Sequence, residues 1–397
     1  MSRPEPGSGN DAGSPAPPPA SDAPTARLRA PGWIIERDRT WWLTLLGAWA
    51  AGRVLVALGV GVAARFADRV DSVQPGVLEL RWWAWDASWY DRMTGEGWAI
   101  LGPESYRFFP GYPLAAEPLA VPFGHRFSLF AVSWAAALVG IALAGELTRR
   151  ATGDELLARR VMVLTGIFPA ALSLVMPYSE PLALVLIGGA LLALLDRRWV
   201  WVAGLSLLAS VVRPTGVLLA APIAVEAWRA WSASSTRARA AIVAALAAPA
   251  VGLAAVFAWV GVAADDWGLP LSVQRQIRGG FLDPVRAVGQ LPGEIAGGNL
   301  SDGVNLVFVL LLVAGAVGMW RVTMPDSLRL FGIVSLLVAL SANNIDSLGR
   351  YGLVTTPLVV GLVAWLPGRR SMGAAIVVSA VGLVLMTVTS QWGLVVP

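Results

Sequence analysis

Apolar residues run in long blocks separated by short turns rich in arginine, proline and glycine, and that alternation sets the first expectation. Predominantly apolar runs fall near 41–63, 127–147, 160–176, 181–195, 199–212, 215–228, 240–262, 304–320, 329–341, 351–366 and 373–390. A helix needs roughly 20 apolar residues to cross a bilayer, and fewer where it is broken or shielded by protein. The pattern predicts an all-α integral membrane protein, a multispanning helical bundle of about 11 transmembrane helices, four of them short. Two longer stretches stay outside the runs, 64–126 and 263–303. Residues 1–36, rich in Pro, Gly, Ser and Ala, cannot bury a core and are expected to form a disordered cytoplasmic tail. The tail has neither a cationic n-region nor an apolar h-region, so the first helix is expected to be kept as an anchor. Residues 37–397 are then the membrane domain.

Composition sharpens this picture. Of 397 residues, 56% are hydrophobic and 14% charged, a balance unlike that of a soluble domain. All 30 basic residues are arginine, and with 42 glycines the usage points to a GC-rich bacterial host and its plasma membrane. The arginines sit in short turns: 149, 150, 159 and 160, then 197 and 198, then 229, 237 and 239, then 321 and 329, then 369 and 370. An odd number of spans with the N-terminus inside puts all of them on the cytoplasmic side, as the positive-inside rule asks. The net charge of +4 is therefore read as topology, and no nucleic-acid partner is expected. The outward segments collect 15 of the 26 acids, so the surface on which chemistry can be built is the outer one. With no cysteine and a single histidine, His125, thiol chemistry and the usual Cys/His zinc sites are excluded.

Some motif matches are incidental. "GVGVAA" at Gly59–Ala64 fits a dinucleotide fingerprint but lies inside the first span, where small residues serve helix packing. There is no Walker loop, nucleophile elbow, H-E-x-x-H or D-x-D. His125 reads as an interfacial residue, and "NLS" at Asn299 is a glycosylation sequon only in a host that uses such sites. The first outer loop is different. "RWWAWDASWYDRMTGEGWAILGPESYRFFPGYPL", residues 81–114, crowds carboxylates among tryptophans. Interfacial tryptophans commonly form a belt, but carboxylates beside them need another explanation. A short helix over Trp85–Arg92 would put Asp86 and Tyr90 on one face and turn Asp91 away. A carboxylate between apolar rings is expected to have a raised pKa, suited to a general base for a sugar hydroxyl, with the rings free to stack on a pyranose.

"WDASWYDRMTGEGW" followed by "YRFFPGYPL" resembles the WD-x-x-x-Y and FFP-x-YPL pattern of the PIG-V family of mannosyltransferases, members of the GT-C superfamily. The resemblance continues in order through "MPYSEPLALVLIGGALLAL", "SVVRPTGVLLAAP", "GLPLSVQRQIRG" and "SLGRYGLVTTPLVV", covering residues 81–360. Ser88 and Trp89 replace the usual residues after WD, and "GLPLS" replaces "GDPLA". The resemblance implies a GT-C bundle whose first extracytoplasmic loop is catalytic and contains short interfacial helices. It implies transfer of mannose from a polyprenyl-phosphate donor to a glycolipid or envelope glycan acceptor by a single inverting displacement. Asp86 matches the family's catalytic base.

A leaving phosphate needs a cation. With no metal or other cofactor expected beyond the lipid-linked sugar, that cation is arginine, whose fork matches phosphate oxygens. Arg213, Arg278 and Arg350, with Tyr351, are the expected phosphate ligands, and Arg275 is a further candidate. Substrate is expected at Trp85, Tyr90, Asp91, Tyr106, Tyr178, Glu180 and Gln274, with Ser179 beside them. Glu180 could equally cap the helix that Pro181 opens. Arg53, in mid-span, needs a partner: Glu146, another intramembrane acid or phosphate. The rival classes are a transporter or lipid flippase, which requires coupling carboxylates at the bilayer midplane, and a non-catalytic envelope subunit, for which Asp86→Asn would be silent.

Overall fold

The computed structural model describes residues 37–280 and 283–397; the expected tail lies outside the described residues. Thr40–Pro397 forms one compact unit. It is all helical, with no β-strand among the described residues. Five helices are long and apolar enough to cross a membrane: Arg39–Arg69, His125–Thr152, Thr236–Ala264, Leu300–Arg321 and Arg369–Gln391. Glu180–Leu195 and Trp199–Val212 are apolar but shorter. The molecule is thus a multi-pass membrane protein.

Two of the expected spans, 160–176 and 351–366, turn out to be interrupted, the turn expected after 212 forms a third break, and a proline lies at or just after each. The run at 160–176 is a helix only over Glu155–Ile167, after which Pro169 opens a 3₁₀ turn, Pro169–Leu174. Trp199–Val212 stops at Arg213, whose extended backbone (φ −150°, ψ 143°) is the conformation the following Pro214 demands. The chain restarts as the 3₁₀ turn Pro214–Leu219 and then Ala220–Trp231. The run at 351–366 is split at Thr355 into Leu348–Val354 and Thr356–Val363. The breaks bring Ser179, Glu180, Arg213 and Arg350 together at helix ends.

Between helices in lipid there is little hydrophobic drive, so close backbone approach does the packing. Gly52 and Gly166 cross so tightly that a Cβ at 52 would lie 2.3 Å from the Gly166 carbonyl oxygen. Gly315 and Gly361 repeat the arrangement, where a Cβ at 361 would meet the Gly315 oxygen at 1.9 Å. Gly59, from the incidental dinucleotide match, packs against Thr387 of Arg369–Gln391.

The arginine turns are tied together. Glu146 takes hydrogen bonds from Arg149 and Arg150, and Arg150 also reaches Asp196 at 2.7 Å. Arg229 and Arg329 both donate to Asp326. Arg53 does not pair with Glu146, which its neighbours already hold. Instead it donates to the carbonyls of Trp49 (2.7 Å) and Leu174 (3.4 Å) and lies 3.9 Å from the Trp49 ring centre and 5.2 Å from that of Trp134. Peptide oxygens and π faces thus replace the expected acid.

The first outer loop forms short helices as expected, Pro75–Leu80, Asp86–Glu96, Trp98–Leu101 and Gly111–Phe123. Tyr90, Met93, Phe108, Tyr112 and Ala116 pack on Leu129 of the second long helix. There the Tyr112 hydroxyl donates to the Leu129 carbonyl at 2.7 Å, docking the loop.

Candidate active site

Asp86 opens the helix Asp86–Glu96, and a four-residue step puts Tyr90 on the same face. Both line a cavity of about 350 Å³. Its polar lining includes Asp86, Arg107, Arg213, Gln274, Arg275, Arg350 and Tyr351. The rest of the lining is largely apolar, with Phe257, Leu253, Val217, Leu218, Phe331 and Val338 among it. One carboxylate therefore shares the cavity with four guanidinium groups.

The charges are arranged in two layers. Arg350 Nη1 donates to Asp86 Oδ2 and lies 3.2 Å from Glu180 Oε1. Arg213 Nη1 lies 2.6 Å from that same Glu180 oxygen and donates to the Ser179 hydroxyl at 3.0 Å. Glu180 is only 1% exposed and does not line the cavity. It sits beneath the two arginines and holds them, so a role contacting sugar hydroxyls gives way to one of orienting cations. Its Oε2 has no hydrogen-bond partner. Pro181, in the first turn, starts the helix Glu180–Leu195 and fixes the carboxylate at this depth.

The expected raised pKa of Asp86 is not what this environment produces. Burial does push the carboxyl up, but the guanidinium of Arg350, with Arg107 and Arg213 behind it, outweighs that and holds Asp86 below the ordinary carboxylate value. The sequence shows the aromatic ring neighbours but not the arginine that arrives from 264 positions away. Burial and the Asp86 charge push the Tyr90 hydroxyl up, so it stays protonated and can donate.

Other expected site residues fall elsewhere. Asp91 faces away from the cavity, where Arg126 grips it with a fork (Nε to Oδ1 3.0 Å, Nη2 to Oδ2 2.8 Å) and His125 Nε2 lies 3.0 Å from Oδ1. It anchors the loop to the second long helix and does not reach the cavity. Trp85 precedes the helix, and its indole donates to the Ser390 carbonyl at 3.0 Å. Tyr106 is buried against Trp259, with ring centres 5.7 Å apart. Tyr178 is fully buried, and the Arg350 guanidinium lies 5.6 Å from its ring centre. Gln274, Arg213, Arg350 and Tyr351 do meet at the cavity, and the Arg213 guanidinium stands 5.4 Å from the Tyr351 ring centre. Arg275 joins them, while the side chain of Arg278 lies outside the described residues. Sequence reasoning missed Arg107, although it sits inside the quoted "YRFFPGYPL"; its guanidinium lies 4.6 Å from the Phe108 ring centre.

Among the described residues no three His, Cys, Asp or Glu side chains converge as a metal site. No family model matches the chain, and no curated protein matches it. Among solved structures, the chain is similar to ArnT from Cupriavidus metallidurans, crystallised bound to undecaprenyl phosphate. The identity is 14% and the TM-score 0.48, over 87% of this chain and 62% of that one, so the chain spans under two thirds of that neighbour's length.

Proposed function

We propose that this protein is a membrane glycosyltransferase of the GT-C type that moves a sugar, mannose by its resemblance to the PIG-V family, from a polyprenyl-phosphate donor to a glycolipid or envelope glycan hydroxyl. The observation that carries the reading is the cavity itself: a carboxylate and four arginines in the lining of a largely apolar chamber. A phosphate-linked sugar suits the charged groups and a prenyl chain the apolar walls, which is the amphiphilic chemistry of such a donor. The active site would face the extracytoplasmic side, with the N-terminus in the cytoplasm.

In the reaction the acceptor oxygen forms the new bond to the anomeric carbon and its proton passes to Asp86. The bond from that carbon to the phosphate oxygen breaks, and the lipid phosphate leaves with the electron pair. The departing group gains a negative charge, so arginines fixed beforehand stabilise the transition state more than the ground state. The same arginines set the basicity of Asp86. A donor phosphate drawn to Arg350 and Arg213 offsets the field that depresses the Asp86 carboxyl, so donor binding raises its proton affinity when it must act. Tyr90, protonated and on the same face, supplies a donor to a sugar oxygen.

The long helices carry three acids among the described residues, Asp68 and Glu146 in the closing turns of two and Asp302 in the first turn of another. None lies at mid-span, where a coupling carboxylate of a transporter would be placed.

The test is transfer of labelled mannose from polyprenyl-phosphate mannose in membranes carrying wild type or Asp86→Asn at matched expression, with and without EDTA. Transfer that is lost in the variant and indifferent to EDTA supports the base and the metal-free reaction. Equal transfer by both proteins removes Asp86 from the mechanism, and absence of transfer by the wild type removes the donor.

A further inference from the structure

Two residues just ahead of Asp86 hold backbone conformations that side chains with a Cβ rarely adopt: Arg81 at φ 50°, ψ −112° and Trp85 at φ 59°, ψ −129°. Such conformations persist only where the surroundings over-determine them, and they gather at functional sites. Here the surroundings come from the far end of the chain. The Trp85 indole donates to the Ser390 carbonyl at 3.0 Å across 305 positions. Gln391 Nε2 donates to the Arg81 carbonyl at 3.0 Å across 310.

The same turn holds the rest of the loop's first limb. Gln74 donates from its backbone N–H to the Trp392 carbonyl and from its side chain to the Gly393 carbonyl, both at 2.9 Å. The Trp392 indole donates to the Ala63 carbonyl at 3.0 Å, near the end of the first helix. Ser390 and Gln391 are each 1% exposed, so the bonds they make to Trp85 and Arg81 are partly shielded from competing water. Because Trp85 immediately precedes the first residue of the helix Asp86–Glu96, its φ and ψ set the direction in which the Asp86 carboxylate leaves the backbone. Trp85 does not line the cavity.

Resting on the glycosyltransferase reading, we propose that the turn Ser390–Gly393 is the positioning element for Asp86, with Gln391 and Trp85 as positioning residues that hold the strained backbone at 81 and 85 and thereby aim the carboxylate at Arg350 and the cavity. The turn contacts no substrate. Its effect is confined to the register of one helix.

The experiment compares full-length wild type, Trp85→Phe, which keeps a packing ring but removes the N–H, and Gln391→Leu, which removes the amide. Two readouts are taken in the same lipid nanodiscs. Amide hydrogen exchange should rise about tenfold or more over 86–96 in both variants, with Glu180–Leu195 unchanged. Transfer kinetics with polyprenyl-phosphate mannose should show kcat down about 10- to 100-fold with KM for the donor within about twofold, since misalignment acts on the chemical step. Unchanged exchange over 86–96, or exchange rising equally in both helices, overturns the proposal, as does a raised KM with kcat intact. If Gln391→Leu does not fold, Trp85→Phe alone decides. If the wild type transfers no sugar, the functional reading fails, while the exchange comparison still settles whether this turn holds Asp86.

Discussion

Arg350 and Asp86 lie 264 positions apart and meet in direct side-chain contact, so the carboxylate assigned the proton in the reaction rests on a cation from another helix. The arginine is itself shared, since its Nη1 lies 3.2 Å from Glu180. A charge that leaves Asp86 is felt at once by the whole buried set, and the reaction and the stability of the site are therefore coupled.

Replacing Asp86 by Asn keeps the shape and removes the proton acceptor. Transfer should fall by about 10²- to 10⁴-fold, the usual worth of a positioned base. The variant should still bind donor, which titration with polyprenyl phosphate would check.

The pH profile follows from the direction of the Asp86 shift. A carboxyl held below the ordinary carboxylate value is ionised throughout the neutral range. Its ion pair contributes stability above the unfolded-state pKa and is lost as pH falls through the lower folded-state value. The kcat/KM of the wild type for the donor, which reports the free enzyme, should therefore show no Asp86 limb between about pH 5 and pH 8. An acid limb of kcat/KM in that window that moves in Asp86→Glu would contradict this placement.

Glu180→Gln leaves two buried arginines without their shared anion. Breaking a buried pair costs about 3 to 5 kcal/mol, so the variant should unfold at visibly lower temperature in a thermal assay. Glu180→Asp, which keeps the charge, should recover part of the loss.

Arg107→Ala removes one of four cavity guanidiniums. The expected result is a donor KM raised about tenfold or more, with fold stability little changed, because charge-assisted bonds to phosphate contribute about 1.5 to 3 kcal/mol. Competition by inorganic pyrophosphate at rising salt gives an independent readout.

Arg53 offers the contrast. Held by two carbonyls and two indole faces, it should be structural, and Arg53→Met should lower thermal stability by about 1 to 3 kcal/mol while donor KM stays put. A changed KM would bring Arg53 into the donor site.

Much of this site is legible in the sequence because local spacing suffices for it. The pairing of Asp86 with Tyr90 on one face, with Asp91 turned away, follows from helical period alone, and so does the block pattern of apolar runs. Residues whose roles depend on distant partners are not legible in this way. The depressed pKa of Asp86, the burial of Glu180 under two arginines, the grip of Arg126 on Asp91 and the Ser390 carbonyl at Trp85 all join positions between 21 and 305 residues apart, by contacts that no periodicity encodes. Tyr106 and Tyr178 read as polar handles, but the structure buries both. The eleven expected segments are largely helical, yet breaks at Pro169 and Thr355 cut two of them, and these, with the expected turn at Arg213–Pro214, frame the site.

Those interrupted helices carry a further consequence, for hydration. Each break ends an intrahelical hydrogen-bond ladder, and hydrocarbon has nothing to offer the freed peptide groups in return. Local turns take them up: the Arg213 N–H donates to the Ala209 carbonyl and its own carbonyl accepts from the Gly216 N–H, both at 2.9 Å, while Thr355 is hydrogen-bonded to Gly352 and Leu358. The charged groups that line the chamber, not orphaned peptides, are what call for water, and they make the chamber an aqueous inlet with an oily wall. Acceptor hydroxyls can arrive through the wet side while a prenyl chain stays against the dry one.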